Sequence, residues 1–369
     1  MNVPFLDLKI QYQALRDEIN PAIQSVIDNA SFVLGKSVSD FETEFARDHS
    51  VKHCICVSSG TAANHLVLWA AGIGHGDEVI VPANTFVATA WGATLCGARP
   101  VFVDCEPDSY NIDPAAIEKA ITPRTKAIVA VDLYGQPADM DALQSAANRN
   151  KILLVEDAAQ AHLAEYKGRR VGGLTRAASF SFYPGKNLGA YGEGGAVTTN
   201  DDAFAHRVKM HREHGGLEKY SHEVLGHNYR MEGIQGAVLG VKRRHLQEWT
   251  EKRRAVAREY GRLLAGVGDL VLPAEMPYAK HVYHLYVIQT HRRDALKEHL
   301  AARGIGTGLH YPIPLHLQKC FHDLGYRKGN FPASERLAER GLSLPMFAEL
   351  TRTQIEYVAD GIKSFFAAG

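Results

Sequence analysis

One lysine of this 369-residue chain lies where a lysine that only keeps a protein soluble has little reason to be. Lys186 follows an apolar stretch and is flanked by glycines, within the segment Ser179–Gly195. A lysine amine is normally protonated at neutral pH, but burial or a cationic neighbour disfavours the charge and makes a Schiff base with an aldehyde accessible. On this segment alone, a glycine-rich turn after a strand explains the pattern equally well.

A carboxylate suited to work beside that lysine ends another apolar run. Leu153–Val155 has the composition of a buried strand, and Asp157 and Gln160 follow it closely. Open parallel sheets bind ligands at the carboxyl ends of their strands. An ionised Asp157 could keep a pyridine nitrogen protonated, and Gln160 could donate to the phenolic oxygen of the same ring. The alternative is that Asp157 only caps the segment that follows.

Two further strand ends offer an anion site and an aromatic ring. The strand-like run Cys54–Val57 leads to Gly60 and Thr61 at a helix start, where free N–H groups and the helix dipole favour a phosphate. The run Val79–Val81 leads to Phe86, which could stack on a flat ring. Each feature alone is common in caps and cores. Lysine, acid, phosphate cradle and stacking face together are what pyridoxal phosphate requires.

With these residues in this order, the chain resembles the sugar aminotransferases of the DegT/DnrJ/EryC1/StrS group, within the fold-type I pyridoxal phosphate enzymes. The resemblance extends over essentially the whole chain. The motifs that carry it are Ser59-Gly60-Thr61, Pro82–Phe86, Glu156–His162, Ser181–Gly189 and Gly226–Met231.

The resemblance implies a role for each matching residue. Lys186 is the Schiff-base lysine, Asp157 the partner of the ring nitrogen, and Gln160 the group near the ring oxygen. The remaining implied cofactor contacts are Gly60, Thr61 and Ser181 to the phosphate, and Phe86 stacked on the ring. In the family, an asparagine that matches Asn228 reaches the cofactor phosphate of the neighbouring subunit, so a homodimer with shared active sites is expected.

The resemblance also implies a substrate-facing set. Its members are Tyr183, Lys219, Tyr220, His310 and Tyr311. The alternative is that Lys219 and Tyr220 belong to an exposed loop and that His310 and Tyr311 only pack. One departure is Leu163, where many members have glycine, and this departure puts the fine substrate match in doubt. The dehydratase relatives have histidine where this chain has Lys186, which argues for transamination.

The sequence therefore predicts a pyridoxal-phosphate-dependent aminotransferase that uses L-glutamate to aminate a keto sugar linked to a nucleoside diphosphate. The segments around Lys186 and Asn228 are most similar to members that aminate the 3-keto position of a deoxyhexose carried by dTDP or UDP. One alternative is amination at C4 of a 4-keto sugar, or of a keto-cyclitol. A more distant alternative is a regulatory protein that binds the cofactor without turnover, against which the set of Lys186, Asp157 and Gln160 argues.

Composition favours a cytoplasmic enzyme. The 41 acidic and 41 basic residues cancel, so no general attraction to nucleic acid or anionic membranes is expected. The N-terminus lacks a basic start followed by an apolar run, and no stretch is long enough to span a bilayer. The five cysteines show no zinc spacing and are expected to be reduced. His211 and His214 would share one face of a predicted helix, but nothing completes a ligand set, so no metal is expected.

Strand and helix patterns alternate over residues 51–199, which predicts an α/β fold with a mostly parallel sheet flanked by helices; the family resemblance implies seven strands. Helical patterning dominates Arg230–Leu264. Beyond it we expect strands at His281–Ile288 and Thr307–Tyr311, with a helix at Arg293–Arg303 between them. The predicted domains are a large cofactor-binding domain, residues 1–250, and a small α+β domain, residues 251–369.

Overall fold

The structure is a computed structural model that describes residues 1–367. Its strands are β1 (His53–Val57), β2 (Glu78–Pro82), β3 (Arg99–Val103), β4 (Thr125–Val131), β5 (Leu153–Asp157), β6 (Glu165–Tyr166), β7 (Arg169–Arg170), β8 (Ala177–Ser181), β9 (Gly195–Thr199), β10 (Ala279–Lys280), β11 (Tyr286–Gln289) and β12 (Gly341–Leu344). Its α-helices are α1 (Leu8–Asp28), α2 (Lys36–Asp48), α3 (Gly60–Ala70), α4 (Val87–Leu95), α5 (Pro114–Ala120), α6 (Met140–Asn150), α7 (Asp202–Arg212), α8 (Gly233–Arg243), α9 (Leu246–Leu264), α10 (Arg293–Ala302), α11 (Pro332–Arg340) and α12 (Arg352–Ala367).

The predicted mostly parallel sheet is confirmed. Seven strands pair in the order β1-β9-β8-β5-β4-β2-β3. The pairs from β8 to β3 are parallel, and β9 lies antiparallel to both of its neighbours. The four predicted strands near residues 128–131, 153–155, 178–182 and 196–199 are β4, β5, β8 and β9.

Helices cover both faces of this sheet, as the apolar strands require. On β1, Cys54 and Cys56 face the side covered by α1, α2 and α8. Ile55 and Val57 face the other side, which is covered by α3, α4 and α7. Because both faces are buried, the sheet is rigid, and the loops that follow its strands are held in fixed positions relative to each other.

A second core lies beside the sheet and is built from the end of α9 with α10, α12 and the antiparallel pair β11–β12. The chain's start belongs to it, since Val3 is fully buried there and pairs with Ile305. Helix α9 contributes Leu246 to the first core and Tyr260 to the second. The predicted boundary after residue 250 falls within that helix and stays a prediction.

The predicted helical stretch Arg230–Leu264 is confirmed and consists of two helices, α8 and α9, separated at Arg244 and His245. Two local predictions were wrong. Thr307–Tyr311 is not a strand, because only Gly308 bridges to Ser343 of β12 and the chain then turns towards two prolines. His211 lies in α7, but His214 lies beyond its end at a φ of 62° and cannot share its face.

The strand predicted at residues 281–288 is shorter than expected. Only its second half forms β11, while β10 precedes it and pairs with β6 instead. No helix within residues 1–367 is both long and apolar enough to cross a bilayer.

Candidate active site

A cavity of about 620 Å³ opens at the carboxyl ends of the parallel strands. Such sites collect ligands because several loops converge there and helix N-termini point inward. The cavity is lined by most of the predicted site residues. They are Gly60, Thr61, Phe86, Asp157, Gln160, Ser181, Tyr183, Lys186, His310 and Tyr311.

Lys186 is partly buried on a tight loop that follows β8. Its backbone N–H donates to Tyr183 O at 2.9 Å. At Gly189 a Cβ would come within 2.3 Å of the Pro184 carbonyl oxygen, so the loop can close only with glycine there. Burial lowers the pKa of the Lys186 amine to about 8, against the opposing effect of Asp157. A substantial share of the amine is therefore neutral near physiological pH.

A second lysine, which is fully buried, forms a hydrogen bond to this loop. Lys242 in α8 is 1% exposed, and its Nζ donates to Gly189 O at 2.5 Å. Burial lowers its pKa to about 8 as well, opposed by Glu349. Lys242 differs from Lys186 in that it does not line the cavity. Burial lowers the pKa of both amines to about 8.

Asp157 ends β5 at the floor of the cavity and is held by three donors. Its Oδ2 accepts from Asn64 Nδ2 at 2.9 Å and from Thr89 Oγ1 at 2.7 Å. Its Oδ1 accepts from Ala159 N at 3.1 Å. These three donors fix the orientation of the carboxylate, and the geometry suits a carboxylate that pairs with a protonated ring nitrogen.

The N-terminus of α3 forms an anion cradle across the cavity from Asp157. Ser59 caps the helix by accepting from Ala62 N at 3.1 Å, and the first helical turn leaves N–H groups without helical partners. A Cβ on Gly60 would lie 2.6 Å from Ser181 Cβ. Only glycine therefore lets the helix start and the Ser181 hydroxyl border one space, which fits a phosphate group.

The residues present thus fit pyridoxal phosphate. The cavity offers a buried amine of lowered pKa for the aldehyde, a fixed carboxylate for the ring nitrogen and a cradle for the phosphate. Phe86 is 52% exposed and lines the same cavity, so one face of its ring is free to stack.

Tyr134 and Gln160 connect the floor of the cavity to the wall that contains His310 and Tyr311. Tyr134 N donates to Gln160 Oε1 at 2.7 Å, and the Tyr134 hydroxyl donates to the His310 carbonyl oxygen. Gln160 Nε2 in turn donates to the Tyr311 hydroxyl at 3.0 Å. Gln160 therefore already holds two partners and keeps Tyr311 in the cavity wall.

Two cavity histidines are neutral. Burial lowers the pKa of His284 well below its usual value, with nearby Lys186 adding to the effect. Burial likewise lowers the pKa of His310 to about 4. His284 Nδ1 lies 3.3 Å from the Oδ1 of Asn187, which is the residue that follows Lys186 in the sequence.

Sequence reasoning missed the residues that position the predicted ones. Asn64 lies one turn after Gly60 on α3, so helical spacing was a usable signal for it. Thr89 likewise lies one turn after Phe86, the N-cap of α4, whereas Tyr134 and His284 reach the site from distant segments and had no such signal. Phe5 and Leu6 also line the cavity, although 180 residues separate them from the lysine loop.

Three predicted residues do not lie in the cavity of their own chain. Asn228, Lys219 and Tyr220 are all exposed, and Tyr220 is 85% exposed. Asn228 Oδ1 accepts from Arg230 Nε at 3.1 Å, and the Lys219 amine lies 5.0 Å from the centre of the Tyr220 ring. Over residues 1–367, no group of three or more His, Cys, Asp or Glu side chains is arranged to hold a metal ion.

Comparison with known proteins agrees with this geometry. The chain is 46% identical over 363 residues to dTDP-3-amino-3,4,6-trideoxy-alpha-D-glucose transaminase of Streptomyces venezuelae, covering 98% of this chain and 96% of that one. It is 48% identical over 368 residues to a "Pleiotropic regulatory protein" of Geobacillus stearothermophilus, covering 99% of each. A solved structure of S. venezuelae DesV superimposes with a TM-score of 0.97 at 46% identity, covering 99% of this chain and 98% of that one.

Residues 13–363 match the DegT/DnrJ/EryC1/StrS aminotransferase family. The predicted cofactor, pyridoxal phosphate, is confirmed by this match and by solved relatives that carry it or its amine form. The chain belongs to the DegT/DnrJ/EryC1/StrS family and is a pyridoxal-phosphate-dependent sugar aminotransferase.

Proposed function

We propose that this enzyme transfers the amino group of L-glutamate to C3 of a 3-keto-6-deoxyhexose linked to dTDP, in the cytoplasm and as a homodimer with shared active sites. The observation that carries the proposal is that Lys186 lines one cavity with Asp157, whose carboxylate Asn64 and Thr89 fix, and that burial lowers the pKa of the Lys186 amine to about 8. The substrate class is supported by the named activity of the relative from S. venezuelae.

When bound, pyridoxal phosphate supplies an aldehyde that accepts the amino group and a ring that delocalises the electron pair left at the reacting carbon. Lys186 is the residue that would hold that aldehyde while no substrate is present. Its amine, once freed by the donor, would take the proton from the donor's α-carbon and return it to the reacting carbon. A base with a pKa near the working pH serves both directions of this transfer.

Asp157 would hold a proton at the ring nitrogen. Asn64 and Thr89 fix the carboxylate, so it need not reorganise during the reaction. Gly60, Thr61 and Ser181 would hold the phosphate, and Phe86 would stack on the ring. Tyr183, His310 and Tyr311 line the open part of the cavity and would face the sugar.

The exposed loop supports a shared site. Asn228, Lys219 and Tyr220 lie outside their own cavity, and Leu225 in the same loop is 83% exposed. In a homodimer these residues would extend into the partner's cavity, with Asn228 at the phosphate and Lys219 as a point charge near the diphosphate.

Borohydride reduction tests the lysine assignment. The protein is loaded with pyridoxal phosphate, reduced, digested and mapped, and the label is expected on Lys186. Lys242 is the matched control, because it is buried with the same lowered pKa but lies outside the cavity. A label on Lys242 or on any other lysine overturns the assignment.

A substrate screen tests the sugar. After L-glutamate has converted the cofactor to its amine form, keto sugar nucleotides are added singly, and absorbance reports the return of the aldehyde form. We expect the 3-keto-6-deoxyhexose to restore it fastest. A faster 4-keto sugar or keto-cyclitol would replace the proposed substrate, and failure with every keto compound would favour a protein that binds the cofactor without turnover.

A further inference from the structure

Five aromatic rings from three segments of the chain pack together in a cluster that we call the ring stack. Its members are His65 and Trp69 of α3, His211 of α7, and His227 and Tyr229. Trp69 contacts three of the other rings, with ring centres 5.1 Å from His65, 4.3 Å from His211 and 5.0 Å from His227. None of the five residues lines the cavity, so the ring stack has no direct part in the chemistry.

The His65 ring packs in the ring stack in its neutral form. Burial lowers its pKa to about 4, and His227 and His211 add to the effect. Its Nδ1 lies 3.3 Å from the Tyr229 hydroxyl, so the ring keeps a polar partner. A neutral ring can lie parallel to Trp69 without burying a charge.

Asn228 lies between two members of the ring stack. His227 N donates to His211 O at 2.8 Å, and Asn228 itself forms an antiparallel bridge, so this segment is extended. Alternate side chains of an extended segment point to opposite sides. Because the His227 and Tyr229 rings pack towards α3, the Asn228 side chain points outward. Its Oδ1 accepts from Arg230 Nε at 3.1 Å, which leaves its Nδ2 to donate to a ligand oxygen.

The ring stack also holds the loop that precedes Asn228. His211 Nδ1 lies 2.8 Å from Leu225 O, and because a carbonyl oxygen can only accept, the ring nitrogen donates. The ring that packs on Trp69 therefore also fixes the backbone of the exposed Leu225. Trp69 contacts rings that hold the exposed loop at two points, Leu225 and Asn228.

We propose that Trp69 is a positioning residue of the shared active site, which acts through the ring stack to hold Asn228 where its amide can donate to the cofactor phosphate in the partner chain. The inference rests on the proposed function, in which Asn228 completes the partner's site. A side chain that is already ordered loses less conformational entropy when it binds, so its contact is stronger.

A double-mutant cycle on cofactor affinity tests this role without turnover. The full-length dimer, confirmed by sedimentation, is freed of cofactor and titrated with pyridoxal phosphate. Asn228→Ala should weaken binding about 10-fold, as expected for a lost hydrogen bond to a charged group. Trp69→Leu should weaken it about 5-fold, and the double variant should stay within about 2-fold of Asn228→Ala, because both changes remove one contact. Independent effects would instead multiply to about 50-fold.

Three further variants complete the test. Trp69→Phe keeps a flat ring in the ring stack and should bind the cofactor within about 2-fold of the natural chain. His227→Ala removes an exposed ring and repeats the cycle with Asn228→Ala if Trp69→Leu does not fold. Trp249→Leu is the matched control, because Trp249 also stacks on a histidine, His245 at 5.8 Å, but lies in the first core and does not line the cavity. It should lower thermal stability and leave cofactor affinity unchanged.

Unchanged cofactor affinity in folded Trp69→Leu and His227→Ala, or effects that multiply with that of Asn228→Ala, overturns the positioning role and leaves the proposed function standing. If Asn228→Ala itself binds the cofactor as tightly as the natural chain, the shared site of the proposed function is overturned together with the inference.

Discussion

The cavity floor and the exposed loop Gly215–Asn228 both carry predicted site residues, but in opposite settings. On the floor, Asp157 is 4% exposed and accepts three hydrogen bonds, and Lys186 is partly buried. In the loop, Tyr220 and Leu225 are 85% and 83% exposed.

The loop is nevertheless tied to itself and to α7 by backbone hydrogen bonds. Glu223 N and Val224 N both donate to Gly215 O, at 2.9 and 3.1 Å, and His227 N donates to His211 O at 2.8 Å. A defined loop that presents apolar side chains to solvent is typical of a surface that contacts another chain. In the proposed homodimer, one chain would build the chemistry of the site, and Asn228 and Lys219 would contribute their contacts from a second copy.

The largest expected effect is the loss of turnover when Asp157 on the cavity floor is replaced. Asp157→Asn keeps an oxygen that can accept from Asn64 and Thr89, so the cofactor should still bind through its phosphate. Turnover should fall by about 100-fold or more, because a neutral amide no longer holds the ring nitrogen protonated. Steady-state kinetics with L-glutamate, together with cofactor absorbance, measure both.

The neighbouring Glu156→Gln variant is the control for that experiment. Glu156 is buried and accepts from Gly172, Leu174 and Thr175, but it does not line the cavity. Its loss should lower thermal stability while the folded enzyme keeps its turnover. If Asp157→Asn retains full turnover, Asp157 has no part in the mechanism.

A smaller effect is expected from the loop. Leu225→Lys places a charge on the surface that we assign to the dimer contact, and it should weaken dimerisation about 10-fold or more. Sedimentation at several protein concentrations measures this. Val271→Lys is the control, since Val271 is 53% exposed but lies far along the chain beside β11. Equal dimerisation of Leu225→Lys and the natural chain would remove this loop from the contact.

The smallest effect concerns pH and separates the two buried lysines. Each has a folded pKa of about 8 against an ordinary value of 10.5. Between these values the unfolded chain binds more protons than the cofactor-free folded chain, so stability rises with pH in that window. Below pH 8 each buried amine costs about 3 kcal/mol of stability, and this cost disappears above 10.5.

Lys186→Met should therefore be more stable than the natural chain at pH 7.5, and its advantage should shrink towards pH 10. Because Lys242 remains, the variant should keep about half of the lysine-dependent slope. Urea unfolding at a series of pH values measures the difference. A difference that does not change with pH would contradict the lowered pKa of Lys186.

Much of the floor could be predicted from the sequence because each of its residues follows a recognisable apolar strand. Asp157 and Lys186 follow β5 and β8, and Gly60 follows β1, so local patterns were sufficient. The supporting contacts could not be predicted this way. Thr89 is 68 residues from Asp157, and Leu6 meets the lysine loop only after the chain's two cores have packed together.

The cavity wall formed by Thr307–Tyr311 was also the least predictable part of the fold. The alternation in Thr307–Tyr311 resembles a strand, yet tertiary contacts decide the outcome. His310 Nδ1 pairs with Ser343 Oγ at 2.8 Å, and Tyr311 pairs with Gln160. These contacts hold the segment against the cavity rather than in a sheet.

Mixing two impaired chains tests most directly whether the floor and the loop of one site come from different copies. Lys186→Ala and Asn228→Ala chains are unfolded together, refolded and assayed, with heterodimers confirmed by mass. Random pairing makes about half of the dimers heterodimers, each with one site that has both residues intact. We expect the mixture to recover about a quarter of the activity of the same amount of natural enzyme. If heterodimers form and no activity returns, Asn228 acts within its own chain and the shared site is contradicted.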